Sequence, residues 1–285
     1  MDQHPEAGGG HRMQCMEIWG GSNAVDRDVS TPGLDGWVYS RPYEGAAGGG
    51  DVHYVSLCGG GIVTRLIVAD VSGHGAAVAE LAEALRALMR RNINSKSQTR
   101  LVAALNQQFA ALAEMSRFAT AVVATYLAHR RRLTVCNAGH PRPLWFHASS
   151  RQWNLLTPEA GARVNQSANL PLGLDDESSY GQFSVGLGPD DVVMAYTDAL
   201  IEAQDRRGRM LGEEGLLAIA RGLDEADPRA LGAALLAGVD RYREGGPADD
   251  DVTLLTLRHN GVGPRRMTVG EKLDVYAKVF GLKTV

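Results

Sequence analysis

The chain has 285 residues and a formal net charge of −4, with 44% hydrophobic and 22% charged residues. This composition is typical of a globular protein that can bury a core, and the slightly acidic balance predicts no nucleic-acid partner. No apolar stretch approaches the roughly 18 residues needed to cross a bilayer, and the N-terminal residues lack the charged-then-apolar pattern of an export signal. We therefore expect a cytoplasmic protein without membrane association. Three widely spaced cysteines (Cys15, Cys58 and Cys136) fit a reducing compartment.

The first part of the chain predicts a tail followed by paired strands. Residues 1–35 are interpreted as an N-terminal tail and lead-in, and the polar, Gly-rich residues 1–12 have the composition of a disordered segment. Short turn-like joins at 57–62 and 128–133 predict antiparallel hairpins. Runs rich in β-branched and aromatic residues, bounded by Gly, Pro or Asp, predict strands at 36–42, 52–57, 62–70, 120–128, 132–139, 143–147, 191–198 and 251–258.

Apolar residues at helical spacing predict four helices, which are expected at 75–92, 98–115, 212–222 and 228–243. Strands followed by two helices, more strands and further helices favour an α+β sandwich over a strict βαβ repeat. Residues 261–285 are interpreted as a C-terminal tail that is helical over 268–282. Packing of this helix onto its own domain is the commoner outcome, and a docking or dimer segment is the alternative.

Four aspartates stand at the ends of predicted buried strands. Asp51 follows three glycines and opens a strand, Asp70 and Asp198 each close one, and Asp250 precedes the last strand. Each aspartate taken alone is explained better as a turn former or helix cap than as a metal ligand. Together, buried carboxylates would repel one another unless a divalent cation compensated their charge. An oxygen-only set of ligands suits Mg²⁺ or Mn²⁺.

Six motifs carry a family resemblance. They are "GGGD" (48–51), "VADVSGHG" (68–75), "CNAGHPRPLWF" (136–146), "PLGL" (171–174), "YTDALIEA" (196–203) and "DDVTLL" (250–255). In this order, and over roughly residues 36–258, the chain resembles the SpoIIE/RsbU branch of the PPM or PP2C-like metal-dependent serine/threonine protein phosphatases. The resemblance implies one phosphatase domain at 36–260, folded as a four-layer α-β-β-α sandwich.

The resemblance also implies a centre of two divalent cations, Mn²⁺ or Mg²⁺, at one end of the sandwich. Asp51 and Asp70 would be catalytic through the water that the metals hold. The implied metal ligands are Asp51, Asp70, the backbone carbonyl of Val71, Asp198 and Asp250.

At two positions the sequence does not match the family pattern in a simple way. In the run "DDD", the pattern of Asp, variable residue, apolar residue and Thr assigns the ligand to Asp250 rather than to Asp249 or Asp251. "TDA" stands where the family usually has "TDG". Because Ala199 disfavours a positive φ, we expect a different local turn there if the family glycine needs that conformation.

The two conspicuous histidines are interpreted mainly as parts of tight turns. His74 in "SGHG" and His140 in "AGHP" would then make local hydrogen bonds, and His74 could alternatively lie beside the metals or donate a proton. The Gly-rich 58–62 lacks the Lys and Ser/Thr of a phosphate-binding loop. No cysteine lies in the loop that a cysteine phosphatase would need.

The implied function is hydrolysis of phosphoserine or phosphothreonine on a regulator of the STAS (anti-sigma-factor antagonist) type. The presence of all four aspartates favours this over a non-catalytic binding module on a degenerate phosphatase fold. A third hypothesis is hydrolysis of a small-molecule phosphate ester. Because only about 35 residues precede the domain, signal sensing would come from a partner or from the tails. The expected partners, besides the phosphoprotein substrate, are a regulatory protein or a second copy of the chain in a homodimer.

Overall fold

The computed structural model describes residues 16–58, 61–73, 76–95, 97–113, 117–164, 169–224 and 226–263. The helices are α1 (Ala76–Asn92), α2 (Gln98–Ala110), α3 (Gly212–Arg221) and α4 (Pro228–Tyr242). The strands are β1 (Met16–Gly21), β2 (Val25–Thr31), β3 (Leu34–Arg41), β4 (Asp51–Cys58), β5 (Val63–Val71), β6 (Ala119–Leu127), β7 (Arg132–Ala138), β8 (Leu144–His147), β9 (Gln152–Leu155), β10 (Ala162–Val164), β11 (Gln182–Gly186), β12 (Val192–Tyr196) and β13 (Val252–His259).

The strands form two antiparallel sheets. The first sheet has the order β1-β4-β5-β6-β7-β11-β10, and the second has the order β2-β3-β13-β12-β8-β9. Helices α1 and α2 pack on the outer face of the first sheet, and α3 and α4 pack on the outer face of the second. A third apolar cluster fills the space between the sheets. The predicted four-layer α-β-β-α sandwich of the α+β class is therefore confirmed.

Strand β5 shows how the sequence specifies these layers. Side chains alternate between the two faces of a strand. Ile67, Ala69 and Val71 join the cluster beneath the helices, whereas Leu66 and Val68 join the cluster between the sheets. Both faces of β5 are buried, so its sequence is a nearly continuous apolar run. That run ends at the rim of the sandwich, where Asp70 lies.

The helices begin and end where local chemistry allows. The Ser97 hydroxyl accepts the Arg100 N–H at 3.3 Å and caps α2, and the Asp227 carboxylate accepts the Ala230 N–H at 3.0 Å and caps α4. The four predicted helices are all present, although α2 ends at Ala110, before the predicted residue 115. Among the described helices, none is both long enough and apolar enough to span a membrane.

The N-terminal tail and lead-in predicted at residues 1–35 includes two strands of the sandwich. Residues 16–31 form β1, which pairs with β4, and β2, which pairs with β3. The sequence does not predict β2 because it is a polar edge strand in which three consecutive residues, Asp26, Arg27 and Asp28, are exposed. Strands β9, β10 and β11 were also not predicted. Residues 1–12 and the predicted helix 268–282 lie outside the described residues.

The predicted hairpins are confirmed, and the cysteines give a mixed result. β4 pairs with β5 and β6 pairs with β7, both antiparallel. Arg131 turns the second hairpin with a left-handed φ of 48°. Cys136 is a free, buried thiol, whereas Cys58 is disulfide-bonded. The expectation of reduced thiols therefore holds for Cys136 and not for Cys58.

Candidate metal centre

Asp51 and Asp70 lie directly opposite each other on β4 and β5. Like charges at facing positions of an antiparallel pair destabilise it. Asp51 is only 2% exposed, and Asp70 is half-buried. Thr120 on β6 faces Asp70 from the other side. The sequence therefore buries two neighbouring carboxylates at one end of the first sheet, where two of the predicted site residues meet.

Thr197 connects this pair to the second sheet. Its hydroxyl donates to the Asp51 carboxylate at 2.8 Å and accepts the Thr253 N–H at 3.0 Å. Its main-chain N–H donates to the Thr253 carbonyl at 3.1 Å, which extends the pairing of β12 with β13 by one residue. Thr197 is fully buried. Because Asp198 follows Thr197, this contact brings the third predicted aspartate to the same end of the sandwich.

Asp198 begins a single 3₁₀ turn, Asp198–Leu200. Its carbonyl accepts the N–H groups of Ile201 and Glu202, both at 2.8 Å. Ala199 is buried and is not among the described residues with a positive φ. The turn therefore does not demand the glycine conformation, and the alanine of "TDA" is accommodated without backbone strain.

Asp250 and Asp251, which precede β13, make different contacts. The Asp251 carboxylate accepts the N–H groups of Tyr43 at 2.6 Å and Gly50 at 2.5 Å. A Cβ on Gly49 would lie 2.1 Å from the same carboxylate, so the glycine is required for this approach. Asp250 is exposed, and its carboxylate accepts the Asp251 N–H at 2.8 Å. These contacts make Asp251 a support for the Gly-rich turn and leave Asp250 at the open side.

The Val71 carbonyl lies beside the Asp70 carboxylate. A Cβ built on Gly50 would be 2.9 Å from the Val71 oxygen and 3.5 Å from Asp70 Oδ1. Both oxygens therefore face the same point of the Gly50 backbone. The next turn includes Gly73 at a φ of +106°, a conformation that favours glycine. This geometry agrees with the predicted pairing of a side-chain oxygen and a main-chain oxygen at the end of β5.

The site is strongly acidic. Burial, followed by the charges of Asp198 and Asp250, raises the pKa of Asp70 to about 7. Burial, followed by Glu202 and Asp250, raises the pKa of Asp198 to about 6. The pKa of Asp51 is raised well above its ordinary value by burial and by Asp70. The carboxylates are therefore close enough to oppose one another's ionisation, and a divalent cation would compensate their charge.

The donors fit a hard divalent cation because they are all carboxylate or carbonyl oxygens. Within the described part of the chain, no three His, Cys, Asp or Glu side chains are grouped tightly enough to chelate one ion by themselves. Mg²⁺ commonly keeps several waters and takes only one or two protein carboxylates. The observed spread of the aspartates is compatible with that mode of binding and not with a closed cage.

His140 makes the local contacts expected of a turn residue. The main-chain N–H of His140 donates to the Asn137 side-chain oxygen, and the Asn137 side-chain amide donates to the His140 carbonyl, both at 2.8 Å. Its Nδ1 lies 2.8 Å from the Thr120 hydroxyl. Burial lowers the pKa of His140 to about 3, so the ring is neutral at ordinary pH. His74 lies outside the described residues, and its role stays a prediction.

Several residues at the site were not predicted from the sequence. Glu202, four residues after Asp198, contributes negative charge to both Asp70 and Asp198. Thr197 and Asp251 were available as neighbours of predicted ligands, but only the structure shows what they hold. Arg243 donates to the Ala199 carbonyl at 2.6 Å, and no local sequence signal connects these two positions.

Several solved structures share this architecture. The RsbU and RsbW domains of a Mycobacterium tuberculosis protein align with a TM-score of 0.67 and 23% identity, covering 90% of this chain and 72% of that one. The SpoIIE phosphatase domain of Bacillus subtilis aligns with a TM-score of 0.59 and 17% identity, covering 83% and 96%. RsbX in complex with magnesium aligns with a TM-score of 0.58 and 17% identity, covering 82% and 99%.

The sequence profile of the SpoIIE family, described as Stage II sporulation protein E, matches residues 61–260. The chain belongs to this family. It is also similar to the phosphoserine phosphatase RsbP of Bacillus subtilis (strain 168), with 27% identity over 142 residues. That match covers 48% of this chain and 33% of RsbP, so the similarity spans about a third of that relative.

Proposed function

We propose that the protein is a metal-dependent phosphoprotein phosphatase that hydrolyses phosphoserine or phosphothreonine. The observation that carries the proposal is the convergence of Asp51, Asp70 and Asp198 at one rim, with the pKa of each raised by burial and by neighbouring carboxylates. Family membership supports the same function, as does the similarity to a protein named a phosphoserine phosphatase.

The proposed ligands are Asp51, Asp70, the Val71 carbonyl, Asp198 and Asp250, which would together hold two divalent cations, Mn²⁺ or Mg²⁺. When bound, such ions lower the pKa of water to generate a nucleophile and neutralise the charge of a phosphate. The RsbX structure with magnesium supports the choice of a hard cation. Among the protein groups, Thr197 orients the Asp51 carboxylate through its 2.8 Å hydrogen bond.

The openness of the rim supports a protein substrate over a small molecule. Asp250 and Glu202 are exposed, and Asp70 and Asp198 are half-buried, so the acidic cluster opens to the surface. Tyr43 adds an exposed aromatic ring beside it. The pKa of Tyr43 is raised first by Glu44 and also by the charge of Asp250. A phosphoserine on a folded regulator could approach such a rim without entering a deep pocket.

A regulator of the STAS type is the proposed substrate, as the family resemblance implies. A regulatory partner or a homodimer, and a cytoplasmic location, stay predictions. The alternative of a non-catalytic binding module would require the aspartates to be retained without a catalytic reason. The gathering of several acids at one rim argues against that alternative, because uncompensated buried charge destabilises a fold.

The test is hydrolysis of a phosphorylated STAS protein from the same genome by the purified chain with Mn²⁺. Asp198→Asn and Asp250→Asn are expected to abolish or strongly reduce phosphate release. Asp249→Asn is the matched control, since Asp249 is exposed and adjacent to Asp250 but is not a proposed ligand. Binding of the phosphoprotein without phosphate release by the wild type would favour the binding module. Turnover of p-nitrophenyl phosphate alone would favour a small-molecule esterase.

A further inference from the structure

Arg243 is a buried cation close to the acidic rim. It follows the last residue of α4, and its side chain is only 7% exposed. The guanidinium donates from Nη2 to the carbonyl of Ala199 at 2.6 Å. Ala199 is the residue immediately after the proposed ligand Asp198. The contact therefore reaches the 3₁₀ turn that Asp198 begins.

Salt bridging does not account for this burial. The ion pair of Arg243 with Asp240 is long, at 3.8 Å, and Asp240 is largely exposed. Burial lowers the pKa of Arg243, although the charges of Asp240 and Asp249 oppose that effect. Placing a guanidinium in such surroundings is costly unless its hydrogen bonds serve the structure. The short bond to the Ala199 carbonyl is therefore the principal contact that the position provides.

Arg243 also begins the loop that leads to Asp250. The Arg243 carbonyl accepts the Gly246 N–H at 3.1 Å, which closes a turn at the end of α4. Asp250 follows seven residues after Arg243. The 3₁₀ turn of Asp198 has no side-chain cap at its N-terminus. One side chain thus connects the turn that presents Asp198 to the loop that presents Asp250.

We propose that Arg243 is a positioning residue for the metal centre, because its guanidinium fixes the Asp198 turn relative to the loop that carries Asp250. This inference rests on the proposed function. In this role Arg243 acts through the Ala199 carbonyl and is not itself a proposed ligand. Its loss should therefore weaken metal binding more than it weakens recognition of the phosphoprotein.

The decisive variant is Arg243→Met, which keeps the aliphatic stem and removes the donors. Calorimetric titration should show Mn²⁺ binding weakened by about tenfold or more, the effect expected from losing one charge-assisted hydrogen bond. The Mn²⁺ concentration needed for half-maximal activity should rise in parallel. KM for the phosphoprotein at saturating Mn²⁺ should stay near the wild-type value. Arg243→Lys should fall between the wild type and Arg243→Met, because a lysine keeps the charge and can donate a hydrogen bond but lacks the planar guanidinium.

Arg65→Met is the matched control. Arg65 is 7% exposed, and its Nη2 donates to the Ser95 carbonyl. It lies five residues before Asp70 on β5, roughly 16 Å along the strand. This variant should lower the Tm without changing Mn²⁺ affinity.

The outcomes separate the inference from the proposed function. A wild-type chain that binds no Mn²⁺ would overturn both. Wild-type Mn²⁺ affinity in folded Arg243→Met would overturn the inference alone, as would an equal loss of affinity in Arg65→Met. If Arg243→Met does not fold, Arg243→Lys decides the question. Mn²⁺ binding weakened several-fold would support the positioning role, and unchanged binding would overturn it.

Discussion

Asp70→Asn should stabilise the metal-free protein at neutral pH. A rise of the Asp70 pKa from 3.8 to about 7 corresponds to about 4 kcal/mol of unfavourable free energy when the carboxylate is ionised. Burial is the largest cause of this penalty, followed by the charges of Asp198 and Asp250. Burying the neutral amide of Asn also has a desolvation cost, so the gain for the variant should be smaller, about 1–3 kcal/mol. For a domain of this size each kcal/mol moves the Tm by roughly 2–4 °C.

The effect has a defined pH window. Below about pH 4 the Asp70 carboxyl is protonated in both the folded and the unfolded chain, and above about pH 7 it is ionised in both. Between these values only the folded state keeps the proton, so the free energy of unfolding falls as the pH rises. The advantage of Asp70→Asn should therefore be near zero at pH 4, grow through this window and be complete above pH 7.

The assay is urea unfolding in EDTA at pH 4.5, 6.0 and 7.5, with the wild type measured beside each variant. Asp35→Asn is the control, because its expected effect on stability at neutral pH has the opposite sign. Burial opposes the shift, but hydrogen bonds from Asn260, Ser30 and Arg258 lower the pKa of Asp35. Removing this favourable charge should destabilise the protein at neutral pH. If metal-free Asp70→Asn is no more stable than the wild type at pH 7.5, the view of Asp70 as a strained carboxylate is wrong.

Two further predictions concern the metal and the Asp198 turn. Mn²⁺ should raise the Tm, because metal binds the folded site and not the dispersed aspartates of the unfolded chain. At 100 times the dissociation constant the gain is about 2.7 kcal/mol. EDTA should reverse the rise, Asp198→Asn should largely remove it, and a Tm indifferent to millimolar Mn²⁺ would count against a metal centre. Ala199→Gly should leave Mn²⁺ affinity unchanged, because Ala199 already has an ordinary φ. A marked gain in affinity by calorimetry would show that the alanine impairs the turn.

The sequence predicted those parts of the fold that are specified locally. The apolar run of β5 is readable because both of its faces are buried. The aspartates stand out because each interrupts or borders such a run. β2 is not readable in this way, since an edge strand with an exposed polar face has the composition of a loop.

Long-range contacts at the site left no signal that a single sequence could reveal. Asp251 binds the Gly50 N–H across 201 positions of the chain, and Arg243 reaches the Ala199 carbonyl across 44. The choice between Asp250 and Asp251 depended on a family pattern. Only the hydrogen bonds of Asp251 give that choice a physical reason.

The distribution of donors explains how one rim can contain so many acids. Asp251 accepts two short main-chain N–H bonds, which offset its charge within the protein. Asp51 accepts the Thr197 hydroxyl, so it is partly compensated. Asp70 accepts no hydrogen bond from the described residues, and the pKa of its carboxyl rises to about 7. A carboxylate held at a rigid strand end without a protein donor destabilises the fold unless a cation binds it. Hydrogen bonding therefore distinguishes Asp251, which supports the Gly-rich turn, from Asp70, whose charge no described donor offsets.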